Sequence, residues 1–262
     1  MTISGSFVSV ASEDHITVVT LNRPEAMNAL SGAFADELSG VFSDLADDGN
    51  VWVVVLAAAG EKAFCVGADL KERASFSLDD FYRNREQVRR LFASVRNLPQ
   101  PAIASVFGFA LGGGFELALS CDLIVASQDA IFGLPETRVG LIPAGGGTQL
   151  LTRKLGVARA KELIFRGRRI DVTEAQGLGL VSDVAPRESL MEAALEVARE
   201  ICRSSPVAVR SAKSAIDAAL GVPIEEGIEF EHHAWAHTIA SRDRAEGIEA
   251  FTNKRDPRWS NE

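Results

Sequence analysis

The sequence predicts an α/β fold in which helices pack on sheets, followed by a carboxy-terminal segment made only of helices. Apolar runs typical of buried strands alternate with segments of helical periodicity as far as residue 183, and only helical patterns follow. The chain has 262 residues, of which 47% are hydrophobic, so it is large enough to bury a sizeable core. This length fits one domain or one domain with a helical appendage.

The amino-terminal part of the chain predicts a hairpin, a helix and a buried strand. Residues 7–10 and 16–21 are strand-like and flank a turn at residues 13–15. A helix begins at Ser31, and apolar residues at helical spacing give it one buried face. These residues are Phe34, Leu38, Val41, Phe42 and Leu45. Residues 51–56 form an almost unbroken apolar run, the pattern of a strand covered on both sides.

The rest of the chain continues this alternation and then becomes helical. We predict a helix over residues 78–97, a strand over 102–106, a glycine turn with a helix, and strands over 123–126 and near 131–132. Four helices follow, over residues 187–202, 206–220, 224–240 and 242–253. Pro206 and Pro223 stand near helix starts, where a missing N–H costs little. We therefore divide the chain into a core of residues 1–186 and a helical module of residues 187–262.

Composition argues against several partners. A net charge of −9 and an isoelectric point near 5.1 disfavour nucleic acid, which needs a basic face. The longest uncharged run, residues 97–115, is interrupted by Pro99, Pro101, Gly108 and three consecutive glycines, so no membrane span is predicted. The first residues have neither a basic nor an apolar signal region, and we expect a cytoplasmic protein.

Neither the cysteines nor the histidines predict a metal site. The chain has three cysteines without C-x-x-C spacing, which disfavours both a disulfide framework and bound zinc. His233 and His237 are four residues apart, but the glutamate of an H-E-x-x-H motif and a third ligand are missing. We therefore predict no metal.

Two glutamates lie on apolar or glycine-rich segments. Glu116 follows the triplet of residues 112–114, and Glu136 follows the segment Phe-Gly-Leu-Pro of residues 132–135. Paired carboxyl groups in apolar surroundings favour acid/base chemistry on a neutral substrate. The structural alternative is that Glu116 is a solvated helix residue and Glu136 an N-cap-like acceptor.

Segment 63–73, with the sequence Ala-Phe-Cys-Val-Gly-Ala-Asp-Leu-Lys-Glu-Arg, together with the triple glycine resembles the oxyanion-hole signature of the crotonase family, also called the enoyl-CoA hydratase/isomerase family. The resemblance extends from residues 21–24 through 145–149 to 250–255. It implies a crotonase-like spiral of ββα repeats with a C-terminal helical module. In the family, such helices build a homotrimer or a dimer of trimers and close the site.

The resemblance also implies roles for individual residues. The backbone N–H groups of Ala68 and Gly113 would bind the carbonyl oxygen of an acyl-CoA thioester, and a helix beginning near Gly113 would direct its free N–H groups at that oxygen. Glu116 would activate a water that adds at C3 of a 2-enoyl-CoA, and Glu136 would exchange the proton at C2.

The same resemblance predicts residues along the coenzyme A arm. Those expected there are Ala68, Asp69, Leu70, Lys71, Gly113 and Arg23, with Arg73 as a further phosphate partner and Phe251 and Lys254 from a neighbouring subunit. Coenzyme A is part of the substrate, so no separate cofactor is predicted.

Residues 67–74, 133–137 and 160–165 look most like the methylglutaconyl-CoA hydratases, a branch with a member that binds RNA through a lysine-rich first helix. Here residues 31–48 contain five acidic residues and no Lys or Arg, which predicts repulsion of RNA. Three alternatives to hydration stay open: enoyl-CoA isomerisation, thioester hydrolysis, and acyl-CoA binding without catalysis. The acyl chain and the pathway, fatty-acid oxidation included, are not fixed by the motifs.

Overall fold

The structure, a computed structural model, describes residues 2–4 and 7–262. The strands of this part of the chain are β1 (Thr2–Ser4), β2 (Val8–Glu13), β3 (Ile16–Leu21), β4 (Val53–Ala58), β5 (Ala63–Cys65), β6 (Ala102–Val106), β7 (Phe109–Leu111), β8 (Leu123–Ser127), β9 (Ile131–Gly133), β10 (Arg169–Asp171) and β11 (Asp183–Ala185). The helices are α1 (Gly32–Ala46), α2 (Leu70–Arg73), α3 (Leu78–Arg96), α4 (Gly113–Ser120), α5 (Gly147–Leu155), α6 (Val157–Arg166), α7 (Val172–Gly177), α8 (Leu190–Cys202), α9 (Pro206–Ala218), α10 (Ile224–Ile239) and α11 (Arg242–Asn253).

The strands form two sheets that are linked by a repeating unit. The larger sheet has the order β1-β2-β3-β4-β6-β8-β11, and the smaller has the order β10-β9-β7-β5. Along the chain, β4 and β5, β6 and β7, and β8 and β9 come in pairs whose first strand joins the larger sheet and whose second joins the smaller, before a helix follows. The chain therefore winds through successive ββα turns, and the predicted α/β spiral is confirmed.

Strand β4 shows why the central strands are apolar on both faces. Val54 and Leu56 point into the main core, whereas Val53 and Val55 point to the opposite side. There α8 covers the sheet with Leu190 and two alanines. A strand enclosed by two layers buries every side chain, and residues 53–57 are all buried.

The first helix forms as its sequence predicts. The Ser31 hydroxyl accepts a hydrogen bond from Phe34 N at 3.2 Å, which caps one of the free N–H groups of the first turn. Phe34, Leu38 and Phe42 are fully buried along one face. The preceding hairpin is also confirmed, because β2 and β3 pair antiparallel around a two-residue turn at Asp14 and His15, both with positive φ.

Helix α3 is confirmed as well, and the short strands of the smaller sheet were not all predicted. A capping box of Ser77 and Asp80 starts α3. Strands β5, β7 and β10 have three residues each, too few to show a period of two. The register between β5 and β7 also shifts between Ala63 and Cys65, which interrupts the pattern further. The strand pattern ends at β11, in agreement with the prediction.

The four predicted carboxy-terminal helices are present as α8 to α11, the first preceded by a 3-10 turn over Arg187–Ser189. Asp243 at the start of α11 is buried, and its Oδ1 accepts hydrogen bonds from Ser260 N and Asn261 N at 2.8 and 3.2 Å. The chain end is thereby tied to the helices. The division at residue 187 stays a prediction. Across the described residues, no helix is both long and apolar enough to cross a bilayer.

Candidate active site

The segment that follows β5 turns its backbone so that one N–H group is left without a partner. Leu30 N donates to Gly67 O at 2.8 Å, and Asp69 N donates to Leu30 O at 3.0 Å. In this parallel bridge the groups of residues 67 and 69 face Leu30, so the N–H of Ala68 between them faces the other side. Gly67 has a φ of +86°, a conformation that favours glycine.

Gly113 brings a second N–H group to the same place. It is the first residue of α4, so its N–H has no partner within the helix. A Cβ added at Gly113 would lie 3.8 Å from Ala68 N, and one added at Gly67 would lie 2.7 Å from Gly113 N. The two segments therefore meet through glycines, and the amides of Ala68 and Gly113 lie close together.

The triple glycine has a packing reason as well. A Cβ added at Gly114 would lie 2.0 Å from Cys65 O, which no real side chain tolerates. The amino-terminal turn of α4 therefore rests directly on the backbone of β5. Gly112, with a φ of +54°, precedes the helix and donates its N–H to Gly133 O of β9 at 2.8 Å.

Glu116 lies one turn into α4 and is enclosed by the protein. Glu116 is only 3% exposed, and its Oε1 accepts hydrogen bonds from Gly145 N and Gly147 N, both at 2.7 Å. Burial raises the pKa of Glu116, and the two glycine amides act in the opposite direction because they stabilise the carboxylate. The alternative of a solvated helix residue does not describe this side chain.

Glu136 begins the 3-10 helix Glu136–Val139, directly after β9 and Pro135. Its Oε2 is buried and has no hydrogen-bond partner among the described residues. A Cβ added at Gly112 would lie 3.0 Å from its Oε1, which places the carboxyl group beside the turn that leads into α4. Burial, and to a smaller extent the charge of Glu116, raise the pKa of Glu136 to about 7. Pro135 is the N-cap of this 3-10 helix and Glu136 is its first residue, so Glu136 does not hold the N-cap position.

The two carboxyl groups thus have opposite surroundings. Glu116 receives two N–H donors, which favour its ionised form, while the buried Oε2 of Glu136 favours the protonated form. Their charges interact, so they titrate as a coupled pair. The two groups therefore differ in how readily they ionise, which suits a pair that takes a proton from one substrate and returns one to it.

The residues predicted along the coenzyme A arm divide into two groups. Asp69 caps α2 by accepting from Lys71 N at 2.9 Å and binds Arg23 Nη1 at 2.7 Å. Burial acts to raise the pKa of Asp69, but the Arg23 hydrogen bond and the helix amides hold it below its usual value. Arg23 also donates to Ala29 O at 3.0 Å, so it braces this loop. Leu70 is 61% exposed, and the Lys71 side chain is exposed next to it.

The remaining candidates lie further out. Arg73 donates to Asn84 Oδ1 through Nε and Nη2 at 3.1 and 2.8 Å, which ties α2 to α3. Phe251 is 87% exposed at the end of α11, and Lys254 follows as the left-handed C-cap of that helix. Their predicted contact with coenzyme A from a neighbouring subunit stays a prediction.

Cys65 lies in the site region but is not a nucleophile. It is buried, its Sγ donates to Asn28 O at 3.1 Å, and burial raises its pKa to about 12. A thiol with so high a pKa has almost no thiolate at neutral pH. In the part of the chain that the structure describes, no group of three His, Cys, Asp or Glu side chains is placed to hold a metal ion.

Sequence reasoning missed the donors that hold Glu116. The glycines of residues 145–147 have the pattern of a tight turn, and no local pattern indicates that this turn folds against α4, 29 residues earlier in the chain. It also missed Arg96, whose Nη1 donates to Gly145 O at 3.2 Å. Both contacts depend on how distant segments approach each other.

A spiral of ββα turns that places two free amides beside the carboxyl groups of buried Glu116 and half-buried Glu136 is the architecture of the crotonase fold. The model of the enoyl-CoA hydratase/isomerase family matches residues 11–262. The chain belongs to the enoyl-CoA hydratase/isomerase family and is an enzyme of that family.

Three similar proteins illustrate the relationship. The putative enoyl-CoA hydratase/isomerase YngF of Bacillus subtilis is 43% identical over 250 residues, covering 95% of this chain and 96% of that protein. The mitochondrial methylglutaconyl-CoA hydratase of Mus musculus is 41% identical over 251 residues, covering 94% and 80%. The crystal structure of an enoyl-CoA hydratase from Bacillus anthracis has a TM-score of 0.96 at 43% identity, and the match covers 98% of this chain and 100% of that one.

Proposed function

We propose that this enzyme is a hydro-lyase that adds water across the C2=C3 double bond of a 2-enoyl-CoA thioester. The observation that carries the proposal is the pair of buried Glu116 and half-buried Glu136, which have opposite surroundings and lie next to the amides of Ala68 and Gly113. A hydratase needs a base for water, an acid for carbon and donors for the enolate oxygen. The related names of similar proteins support the same reaction class.

In the proposed reaction, the thioester carbonyl oxygen accepts hydrogen bonds from Ala68 N and Gly113 N. These donors stabilise the negative charge that reaches this oxygen when a nucleophile adds at C3. The Glu116 carboxylate takes a proton from a water molecule as the water oxygen bonds to C3. The Glu136 carboxylic acid gives its proton to C2, and proton exchange restores both groups.

The buried state of Glu116 favours hydration over the alternatives. An isomerase moves one proton between two carbons and needs only one base, so it gains nothing from a second carboxyl group held by two amides. A binding protein has no need of either group. Thioester hydrolysis uses a similar oxyanion site, and it is distinguished from hydration by its products.

The substrate is proposed to lie with its coenzyme A arm along the segment that begins at Ala68. Exposed Leu70 and Lys71 are available to the pantetheine and phosphate groups, whereas Asp69 and Arg23 hold the segment in place. Coenzyme A enters as part of the substrate, and we propose no separate cofactor, metal or nucleic-acid partner. The cytoplasmic location also stays a proposal.

The carboxy-terminal helices support the proposed homotrimer or dimer of trimers. Among its described residues, α10 has none that is buried, although several of its apolar side chains are large. Those exposed are Ile224, Ile228, Phe230, Trp235 and Ile239. Four of them, Ile224, Ile228, Trp235 and Ile239, follow one another at spacings of four, seven and four residues and therefore share one face of α10. An exposed apolar helix face of this kind is typical of a surface that is covered in an assembly.

Product analysis separates the four candidate activities. The enzyme is incubated with crotonyl-CoA in water labelled with oxygen-18, and the thioesters are examined by mass spectrometry. Hydration gives a 3-hydroxyacyl-CoA that carries one label in its hydroxyl group. A shifted double bond without label indicates isomerisation, and free coenzyme A with labelled acid indicates hydrolysis; each contradicts the proposal. If crotonyl-CoA is unchanged, the assay is repeated with methylglutaconyl-CoA, and unchanged substrate there too indicates binding alone and contradicts the proposal.

A further inference from the structure

Arg96 ends α3 on the helix face that is directed at the candidate active site. Arg85, Phe92 and Arg96 are spaced by seven and four residues, so they share one face of the helix. Phe92 is buried against the turn of residues 145–147, where a Cβ added at Gly145 would lie 2.4 Å from the ring. The half-buried Arg96 continues this contact with a hydrogen bond from Nη1 to Gly145 O at 3.2 Å.

The same turn holds Glu116 from its other side. Gly145 N and Gly147 N donate to Glu116 Oε1 at 2.7 Å each, and the Gly146 N–H faces the carboxylate as well. The Gly145 carbonyl and the Gly146 N–H belong to one peptide group. Arg96 therefore binds the negative end of a peptide dipole whose positive end faces Glu116. In this position the positive charge of Arg96 and the N–H groups of the turn both stabilise the Glu116 carboxylate.

The charged groups that face Glu116 come from two elements. Arg85 and Arg96 approach from α3, and both interact electrostatically with the Glu116 carboxylate. Glu136 approaches from the 3-10 helix after β9, and the two carboxylates repel each other, so Glu136 opposes the ionisation of Glu116. Of the two arginines, Arg96 is the one that also contacts the turn.

We propose that Arg96 is a positioning residue that fixes the turn of residues 145–147 around the Glu116 carboxyl group and favours its ionised form. The inference rests on the proposed hydration and adds a residue to it. Arg96 acts through the turn and through its charge, without contact to substrate. Its loss makes Glu116 harder to ionise, because a nearby positive charge favours a carboxylate.

The test compares Arg96→Met, Arg96→Gln and Arg96→Lys in the full-length enzyme. Met removes both the charge and the donor, Gln keeps a donor without charge, and Lys keeps the charge. Arg89→Gln is the matched control, because Arg89 lies on the same helix with its side chain 65% exposed and paired with Glu86. The rate of enoyl-CoA hydration is measured against pH for each protein.

We expect the acidic limb of the kcat/KM profile to move up by about one pH unit in Arg96→Met and Arg96→Gln, since base catalysis needs ionised Glu116. In Arg96→Lys the acidic limb should lie close to its wild-type pH, and in Arg89→Gln its pH should not change. KM should change less than kcat. An unmoved limb in Arg96→Met, or in Arg96→Gln should the Met variant not fold, overturns the proposal.

A second measurement does not depend on turnover. Infrared difference spectra give the pH at which the Glu116 carboxyl group takes up its proton, assigned by subtracting the spectrum of Glu116→Gln. The Arg96→Met spectrum should show protonation at higher pH than wild type, with Arg89→Gln unchanged. If wild type hydrates no enoyl-CoA but this shift appears, the proposed function fails while the role of Arg96 holds; equal protonation in both proteins overturns that role.

Discussion

Glu116 and Glu136 are the same side chain in two different environments. Glu116 is more deeply buried, but two glycine N–H groups donate hydrogen bonds to its carboxylate at 2.7 Å and replace those that water would make. Glu136 has a buried oxygen without such a donor, and burial raises its pKa to about 7. The difference in roles therefore comes from neighbouring backbone, since the residue type is shared.

The raised pKa of Glu136 predicts a dependence of stability on pH. Between the ordinary glutamate pKa of 4.5 and the raised pKa of about 7, the folded protein holds the Glu136 proton more tightly than the unfolded chain does. The free energy of unfolding therefore falls as pH rises through this range. Replacing the group by a neutral isostere removes this loss, so Glu136→Gln should stabilise the protein at pH 8 by about 1 kcal/mol after allowance for solvent screening.

Thermal unfolding at pH 4.5 and pH 8 measures this effect. The melting temperature of Glu136→Gln should exceed that of wild type at pH 8 and approach it at pH 4.5. Glu188→Gln, at an exposed glutamate, serves as the control and should match wild type at both values. A Glu136→Gln protein that is less stable than wild type at pH 8 would contradict the assigned environment.

At the scale of elements, the site depends on the contact between β5 and α4. Gly114 makes this contact possible, because a side chain there would meet Cys65 O at 2.0 Å. Gly114→Ala should force the two elements apart and lower the free energy of unfolding by about 1–3 kcal/mol. Because this displaces the oxyanion donors, kcat should fall by about 100-fold. Chemical denaturation and steady-state kinetics measure both.

Gly40→Ala provides the control for this substitution. Gly40 lies on the exposed face of α1, and a Cβ added there meets nothing within 4 Å. The variant should gain about 0.5–1 kcal/mol, because alanine favours a helix interior over glycine, and its activity should equal that of wild type. Gly114→Ala with unchanged kcat and stability would disprove the close contact.

The longer helices α1, α3 and α8 to α11 and the longer strands of the larger sheet could be predicted because their signals are local, whereas the three-residue strands β1 and β11 and the helices α2, α5, α6 and α7 were not predicted. Ser31 with Phe34 and Leu38 marks a capped amphipathic helix, and the apolar residues of β4 mark an enclosed strand. The smaller sheet could not be predicted in full, because three-residue strands such as β5 and β7 carry no periodicity. The two glutamates were identified from their apolar and glycine-rich segments and their roles from the resemblance, whereas Gly145 and Arg96 act only through contacts between distant segments.

At the scale of the whole molecule, the exposed apolar face of α10 predicts self-association. Light scattering after size exclusion should give a mass of about 84 kDa, three times the 28.1 kDa chain, or twice that value for a dimer of trimers. Ile228→Glu places a charge on this face and should lower the mass, whereas Glu229→Gln on the same exposed helix should not. A wild-type protein of 28.1 kDa would refute the proposed assembly.

The most direct test of the proposed function follows the absorbance of the conjugated enoyl thioester when the enzyme meets crotonyl-CoA. Glu116→Gln and Glu136→Gln are measured beside wild type, with acyl-CoA binding recorded for each. We predict that wild type converts the enoyl group to a 3-hydroxyacyl-CoA and that each variant loses activity by about 1000-fold while still binding acyl-CoA. Near wild-type turnover in either variant, or no hydration of crotonyl-CoA and methylglutaconyl-CoA by wild type, would contradict a two-glutamate hydratase.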